Sequence, residues 1–118
     1  MFNLFKKRTK ATQLGMEDFK KIIEHNNSGI IMFGAGWCGA CKMQKPIIND
    51  MADHHKESDI VIGIVDTDSE QNLSQEFGIT ALPTTVAIKG REILFKKKGL
   101  MARRDLEKVF SELQKTPE

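Results

Sequence analysis

The chain contains two cysteines, and both lie in the stretch Gly36-Trp37-Cys38-Gly39-Ala40-Cys41-Lys42. This stretch joins an apolar run to an amphipathic run, so it places both thiols at the start of a predicted helix. The helix dipole and the free amide hydrogens of the first turn favour negative charge there, so we expect Cys38 to ionise more readily than an isolated thiol. Cys41 lies one turn further on, faces the same side and is within reach of a disulfide. The pair therefore predicts a redox switch.

Length and composition indicate one compact domain. The chain has 118 residues, of which 40% are hydrophobic, and this is enough for a single core. We expect residues 1–10 to be a flexible extension and residues 11–118 to form the domain. The apolar opening is short and the basic residues 6–8 follow it, so we expect neither a signal peptide nor a membrane span.

The net charge and the two cysteines limit the classes of function that fit this chain. The net charge is only +2, and the basic residues are dispersed, which argues against nucleic acid as a partner. The absence of a targeting signal predicts a cytoplasmic location. In that reducing compartment a lone Cys-x-x-Cys pair favours a catalytic or metal-binding role over a structural disulfide.

The first half of the chain reads as a βαβ unit that follows a helix. Apolar spacing predicts the first helix over residues 16–26 and a buried strand over residues 30–33. The helical pattern returns over residues 38–55, with Met43 on its apolar face and Pro46 as an interruption. A second β-branched run covers residues 60–66. A helix between two such strands makes a right-handed parallel crossover.

The second half reads as a hairpin between two helices. We predict a short helix over residues 73–77 and strands over 85–88 and 92–96. The connection between these strands is short and contains Gly90, which favours an antiparallel hairpin. A last amphipathic helix is predicted over residues 100–113. The fold class is therefore α/β, with a mixed sheet of four to five strands and about four helices on both faces.

The chain resembles the thioredoxin family over residues 11–114. The resemblance rests on elements in family order and spacing: the Trp-Cys-Gly-x-Cys-Lys block, Pro46, the turn at residues 77–79, Leu82-Pro83-Thr84, the hairpin and Gly99. It implies a thioredoxin fold and a reversible Cys38/Cys41 dithiol-disulfide site that reduces protein disulfides. It also implies no bound cofactor, a monomer, and electrons supplied from NADPH by a flavoprotein reductase of the thioredoxin-reductase type.

The resemblance also assigns roles to residues. Cys38 would attack a substrate disulfide, and Cys41 would resolve the mixed disulfide. The Leu82–Pro83 bond would be cis and would face the cysteines. The docking surface would comprise Trp37, Gly39, Ala40, Leu82, Pro83, Gly99 and Leu100. Lys42 would support the thiolate, and Pro46 would support the helix.

Two departures from the family pattern concern the chemistry of the sulfurs. Ala40 stands where the family usually has proline, and we expect a weaker reductant as a result. Met32 and Ile64 stand where the family commonly has a buried aspartate and its lysine partner. The usual proton acceptor for Cys41 is therefore missing, and we expect water or the leaving thiolate of the substrate to replace it.

A third departure concerns charge. The basic residues 96–98, together with Arg103 and Arg104, bracket Gly99. Most charge runs are solvated surface, but these residues would steer acidic partners if they act in docking.

Two alternatives to a reductase remain open on the sequence alone. One is a binding module that keeps the fold as a scaffold. The other is a zinc site that would use Cys38 and Cys41 with His54 and His55, although adjacent helical residues point about 100° apart and these two histidines could hardly both reach one ion with both sulfurs. We expect these two histidines and His25 to be solvated groups near helix C-termini.

Overall fold

The computed structural model describes residues 11–115. The expectation of a flexible extension concerns residues 1–10, which lie outside the described residues. Within the described part, five strands form one sheet in the order β1-β3-β2-β4-β5. The strands are β1 (Thr12–Gln13), β2 (Ser28–Gly34), β3 (Val61–Asp66), β4 (Thr84–Lys89) and β5 (Glu92–Lys98).

Residues 11–115 also form four helices: α1 (Met16–Glu24), α2 (Gly39–His54) and α3 (Gln71–Glu76) connect strands, and α4 (Arg103–Lys115) follows β5. Strands β1, β2 and β3 are parallel to one another, whereas β4 is antiparallel to both β2 and β5. The mixed sheet, the parallel crossover through α2 and the hairpin are thus confirmed.

Strand β2 is the centre of the molecule because both of its faces are buried. Ile30 and Met32 pack into one apolar cluster with residues of α2 and α4. Ile31 and Phe33 pack into the second cluster with residues of α1 and α3. Side chains alternate across a strand, so a continuous apolar run is what a strand with two covered faces requires.

Three features of the structure differ from the predicted elements. Strand β1 was not predicted because its two residues carry no periodic signal. Helix α4 begins at Arg103, three residues later than expected, because the backbone of Met101 is bound to the side chain of Gln44. Met43, expected on the apolar face of α2, is 65% exposed, and the buried stripe runs through Cys41, Gln44, Ile48 and Met51 instead.

His55 also differs from expectation. Its ring stacks on Phe110 with centroids 3.8 Å apart, and its Nε2 donates to Glu107 over 2.8 Å. His55, which directly follows α2, therefore packs against α4 and is not a solvated group. His25 and His54 are exposed, as expected.

None of the helices in residues 11–115 is long and apolar enough to cross a membrane.

Candidate active site

The two cysteines lie at the first turn of α2. Cys38 is the N-cap residue, with extended backbone, and its Sγ accepts the backbone N–H of Cys41 at 3.2 Å. The Cα atoms are 5.2 Å apart, and the two sulfurs form a disulfide. This confirms that one helical turn brings the pair within bonding reach. Both residues are buried, with 8% of Cys38 and 4% of Cys41 exposed.

A groove lies on the Cys38 side of the disulfide. It has a volume of about 350 Å³, and its lining includes Trp37, Cys38, Ile79, Ala81 and Leu82. The Trp37 ring is 70% exposed. The groove therefore places Cys38 beside an accessible apolar surface.

Trp37 is held in place by a residue that sequence reasoning missed. Its indole Nε1 donates to a carboxylate oxygen of Asp68 at 2.9 Å. Asp68 follows the carboxyl end of β3, while the cysteine loop follows the carboxyl end of β2. Because the carboxyl ends of parallel strands meet at one edge of a sheet, this neighbourhood was accessible from the sequence.

The turn that precedes β4 completes the rim of the groove. The Leu82–Pro83 peptide bond is cis, as the resemblance implies. The carbonyl of Pro83 accepts the N–H of Gly99 at 2.7 Å. Gly99 has a φ of +89°, a conformation that favours glycine. This bond brings Gly99 beside Pro83, and the neighbouring Leu100 is 45% exposed.

Gln44 is a second residue that sequence reasoning missed. Its side chain is fully buried. Its Nε2 donates to the carbonyl of Met101 at 3.1 Å, and its Oε1 accepts the N–H of Met101 at 2.7 Å. Gln44 therefore anchors the loop that carries Gly99 and Leu100 onto the helix that carries the cysteines.

A second cavity lies on the Cys41 side. It has a volume of about 330 Å³, and Cys41 shares its wall with Met32, Gly34, Ile64 and other residues of the sheet and α2. Met32 and Ile64 are direct neighbours in the β2–β3 register. The two positions of the missing ion pair are therefore adjacent, apolar and next to the second thiol.

Comparisons with known proteins agree with this geometry. The sequence profile of the thioredoxin family matches residues 10–112. The chain belongs to the thioredoxin family. Thioredoxin H2 of Arabidopsis thaliana is 39% identical over 98 residues, which cover 81% of this chain and 70% of the relative. A putative thioredoxin 2 of Streptomyces coelicolor is 31% identical over 107 residues, which cover 91% of this chain and 78% of the relative.

Solved structures show the same fold. A mutant thioredoxin from Halobacterium salinarum superposes with a TM-score of 0.79 at 21% identity, covering 95% of this chain and 97% of that one. Oxidised mitochondrial thioredoxin 3 from Saccharomyces cerevisiae gives a TM-score of 0.73 at 29% identity, covering 86% of this chain and 94% of that one.

Family membership and the paired cysteines together define the activity. This thioredoxin-family protein is a thiol-disulfide oxidoreductase that acts as a protein-disulfide reductase, and members of the family need no bound cofactor for this exchange.

The basic residues around Gly99 divide into two groups. Lys96 donates to the carbonyls of Phe77 and Gly78 at 2.7 and 2.9 Å, so it closes the end of α3. Arg103 is bound to Asp50 and Glu107. Lys96 and Arg103 are therefore engaged within the protein. Lys97, Lys98 and Arg104 are exposed.

The supporting lysine lies on the Cys41 side. Lys42 is exposed and lines the cavity with Cys41, while its backbone N–H donates to the carbonyl of Cys38 at 3.3 Å. Pro46 lies inside α2, which continues through it.

The histidines and Cys41 lie apart. Cys41 is in the first turn of α2 and His54 is its last residue; at about 1.5 Å of rise per residue they are about 20 Å apart. In the part of the chain that the structure describes, no three His, Cys, Asp or Glu side chains form a group able to hold a metal ion.

Proposed function

We propose that Cys38 attacks the substrate disulfide and that Cys41 resolves the resulting mixed disulfide. The observation that supports this order is the different surroundings of the two sulfurs. Cys38 is the N-cap of α2, and its sulfur accepts an amide hydrogen, an arrangement that stabilises a thiolate. Cys38 also borders the groove. Cys41 borders the opposite cavity, one helical turn further on.

The exchange balances without any other reactant. The thiolate of Cys38 attacks one substrate sulfur, the other substrate sulfur leaves as a thiolate, and a mixed disulfide forms. The thiolate of Cys41 then attacks the sulfur of Cys38 and releases the first substrate sulfur. The substrate disulfide gains two electrons, and the Cys38–Cys41 disulfide carries the corresponding oxidation.

We propose that an extended substrate segment docks beside this disulfide. The docking surface is formed by Trp37, Gly39, Ala40, Leu82, Pro83, Gly99 and Leu100. Support comes from the groove that Trp37 and Leu82 share with Cys38 and from the bond between Gly99 and Pro83. The exposed cations Lys97, Lys98 and Arg104 would steer acidic partners toward this end of the sheet.

The experiment that tests the order of attack is single-turnover reduction of insulin. The wild-type protein reduces insulin, Cys38→Ser does not react, and Cys41→Ser accumulates a mixed disulfide with the substrate that mass spectrometry detects. Equal insulin binding by all three proteins with no reduction by the wild type would instead support a binding module. Trapping of substrate by Cys38→Ser would reverse the proposed order.

We propose that the oxidised protein is regenerated in the cytoplasm by a flavoprotein reductase of the thioredoxin-reductase type that draws on NADPH, and that the protein works as a monomer. The family to which the chain belongs supports this assignment. The proposal predicts NADPH oxidation that depends on this protein when reductase and insulin are both present, and a monomeric mass in sedimentation. Failure of the source cell's reductase to reduce the Cys38–Cys41 disulfide would contradict it.

We also propose that Ala40 makes the protein a weaker reductant than its proline-bearing relatives. Alanine leaves φ free and keeps an amide donor next to the sulfurs. A change of about 1.4 kcal/mol in the balance of dithiol and disulfide corresponds to about 30 mV. Ala40→Pro should therefore lower the measured potential by a few tens of millivolts, and an unchanged potential would remove this role for residue 40.

A further inference from the structure

The thiol of Cys41 must lose a proton before it can attack, and its surroundings offer few acceptors. It is 4% exposed and packs in an apolar cluster with Met32 and Ile64. A buried thiol in apolar surroundings keeps its proton more tightly than a solvated one. The second step of the exchange therefore needs a route for this proton.

Gly34 opens such a route. A Cβ atom at residue 34 would lie 3.1 Å from Sγ of Cys41 and 3.0 Å from Cε of Met32. A larger residue would therefore cover the sulfur from this side. Because residue 34 is glycine, the wall of the 330 Å³ cavity reaches Cys41, and the cavity is large enough for water.

Asp66 faces the same cavity. It pairs with Gly34 in the β2–β3 register, two rows beyond the pair of Met32 and Ile64 and therefore on the same face of the sheet. Side chains in one row of a sheet lie on the same face, so the carboxylate of Asp66 lies on the face where Gly34 leaves the sulfur uncovered. The cavity lining includes both Cys41 and Asp66. Adjacent strands are only about 4.8 Å apart.

We propose that Asp66 accepts the proton of Cys41 through one water molecule in this cavity. The inference rests on the proposed function, in which Cys41 is the resolving thiol. The S–H bond of Cys41 breaks, the proton passes through water to the Asp66 carboxylate, and the Cys41 thiolate forms the bond to Cys38. The substrate sulfur leaves as a thiolate and takes up a proton from the Asp66 carboxylic acid or from solvent.

The other charged groups at the cavity assist this transfer. Lys42 and Lys45 on α2 line it, and Gln13 on β1 adds an uncharged polar group. In residues 11–115 these two lysines and Asp66 are the charged side chains of the lining. The lysines stabilise a thiolate at Cys41 but cannot accept its proton while they are charged, which leaves the carboxylate as the base.

The test separates the two steps with dithiobis(nitrobenzoate). Reduced protein reacts with a limiting amount of this reagent in a stopped-flow instrument, so Cys38 releases a first thionitrobenzoate and Cys41 then releases a second. The rate of the second phase is followed against pH. Asp66→Asn keeps the oxygen that accepts the N–H of Asp68, and circular dichroism checks its fold. Asp59→Asn makes the same charge change just before the opposite end of β3, where Asp59 is exposed.

We expect Asp66→Asn to slow the second phase about a hundredfold near neutral pH, the lower end of the range for loss of a general base. Its pH profile should move to higher pH, the first phase should not change, Asp66→Glu should recover most of the rate, and Asp59→Asn should match the wild type. Removal of a negative charge by itself would have the opposite sign, because it favours the Cys41 thiolate.

Several results would overturn the inference: a second phase in Asp66→Asn that equals or exceeds the wild-type rate, an equal loss in Asp59→Asn, an equal loss in both phases, or no recovery in Asp66→Glu. Failure of the proposed function looks different: a wild type that releases one thionitrobenzoate and no second one has no resolving thiol, and a Cys38→Ser variant that still forms the adduct at the rate of the first phase reverses the order of attack.

Discussion

Replacing Gln44 with methionine should detach the loop that carries Gly99 and Leu100. Methionine has a similar length and flexibility, so the core volume is nearly kept. The backbone N–H and carbonyl of Met101, a residue that is 3% exposed, would both lose their partners. Each buried group left without a partner costs about 1–3 kcal/mol. Because the loop can move to recover part of this, we expect a loss of about 3 kcal/mol in the free energy of unfolding.

The assay is urea denaturation followed by circular dichroism, with a melting curve beside it. The midpoint should fall with an unchanged m value, and the melting temperature should fall by about 10–15 °C. Gln75→Met is the matched control, because Gln75 is exposed on α3 and should change stability by no more than about 0.5 kcal/mol. A loss below about 1 kcal/mol for Gln44→Met would refute the assignment of these two bonds as the anchor of the loop.

Two further predictions concern buried or partly buried charge. Met32→Asp places a carboxylate beside Ile64 without a partner and should lower the free energy of unfolding by about 3 kcal/mol or more. In urea denaturation the double variant Met32→Asp/Ile64→Lys should recover part of that loss. No recovery would contradict the pairing of residues 32 and 64. Burial raises the pKa of Glu107, but hydrogen bonds from Arg103 and His55 outweigh it and hold that pKa below its ordinary range. Glu107→Gln should therefore cost about 1 kcal/mol or less at neutral pH, and the difference from wild type should disappear as the pH falls from about 4.3 through the lowered pKa. A stability difference between Glu107→Gln and the wild type that grows as the pH falls would contradict the lowered pKa of Glu107.

The fold was predictable where the apolar pattern is strong. Strands β2 and β3 lie between helices, so their runs are apolar on both faces and are recognisable without the structure. The sequence predicts a start of α4 three residues too early, because the amphipathic pattern extends back to Leu100. The hydrogen bonds that hold Met101 outside the helix come from a residue 57 positions away, and local periodicity contains no information about such a partner.

The site was predictable only in part, for a related reason. The cysteine pair and its helix follow from local sequence, and the cis bond before Pro83 followed from the family resemblance. The contacts of Asp68 with Trp37 and of Gln44 with Met101 join distant segments. A signal for Gln44 was present, since it stands in the Cys41–Ile48–Met51 stripe. A polar side chain in a buried stripe must bind another buried polar group.

The surroundings of Cys41 are set by Met32, Ile64 and Gly34 together. A buried carboxylate at residue 32 would need a positive partner at residue 64, and either charge alone would be costly. Met32 and Ile64 avoid this cost, but they leave Cys41 in an apolar wall. Gly34 compensates because it uncovers the sulfur toward Asp66, a solvated carboxylate that needs no buried partner. In the proposed mechanism the acid-base chemistry of the second thiol thereby lies at the exposed rim of the sheet and not in the core.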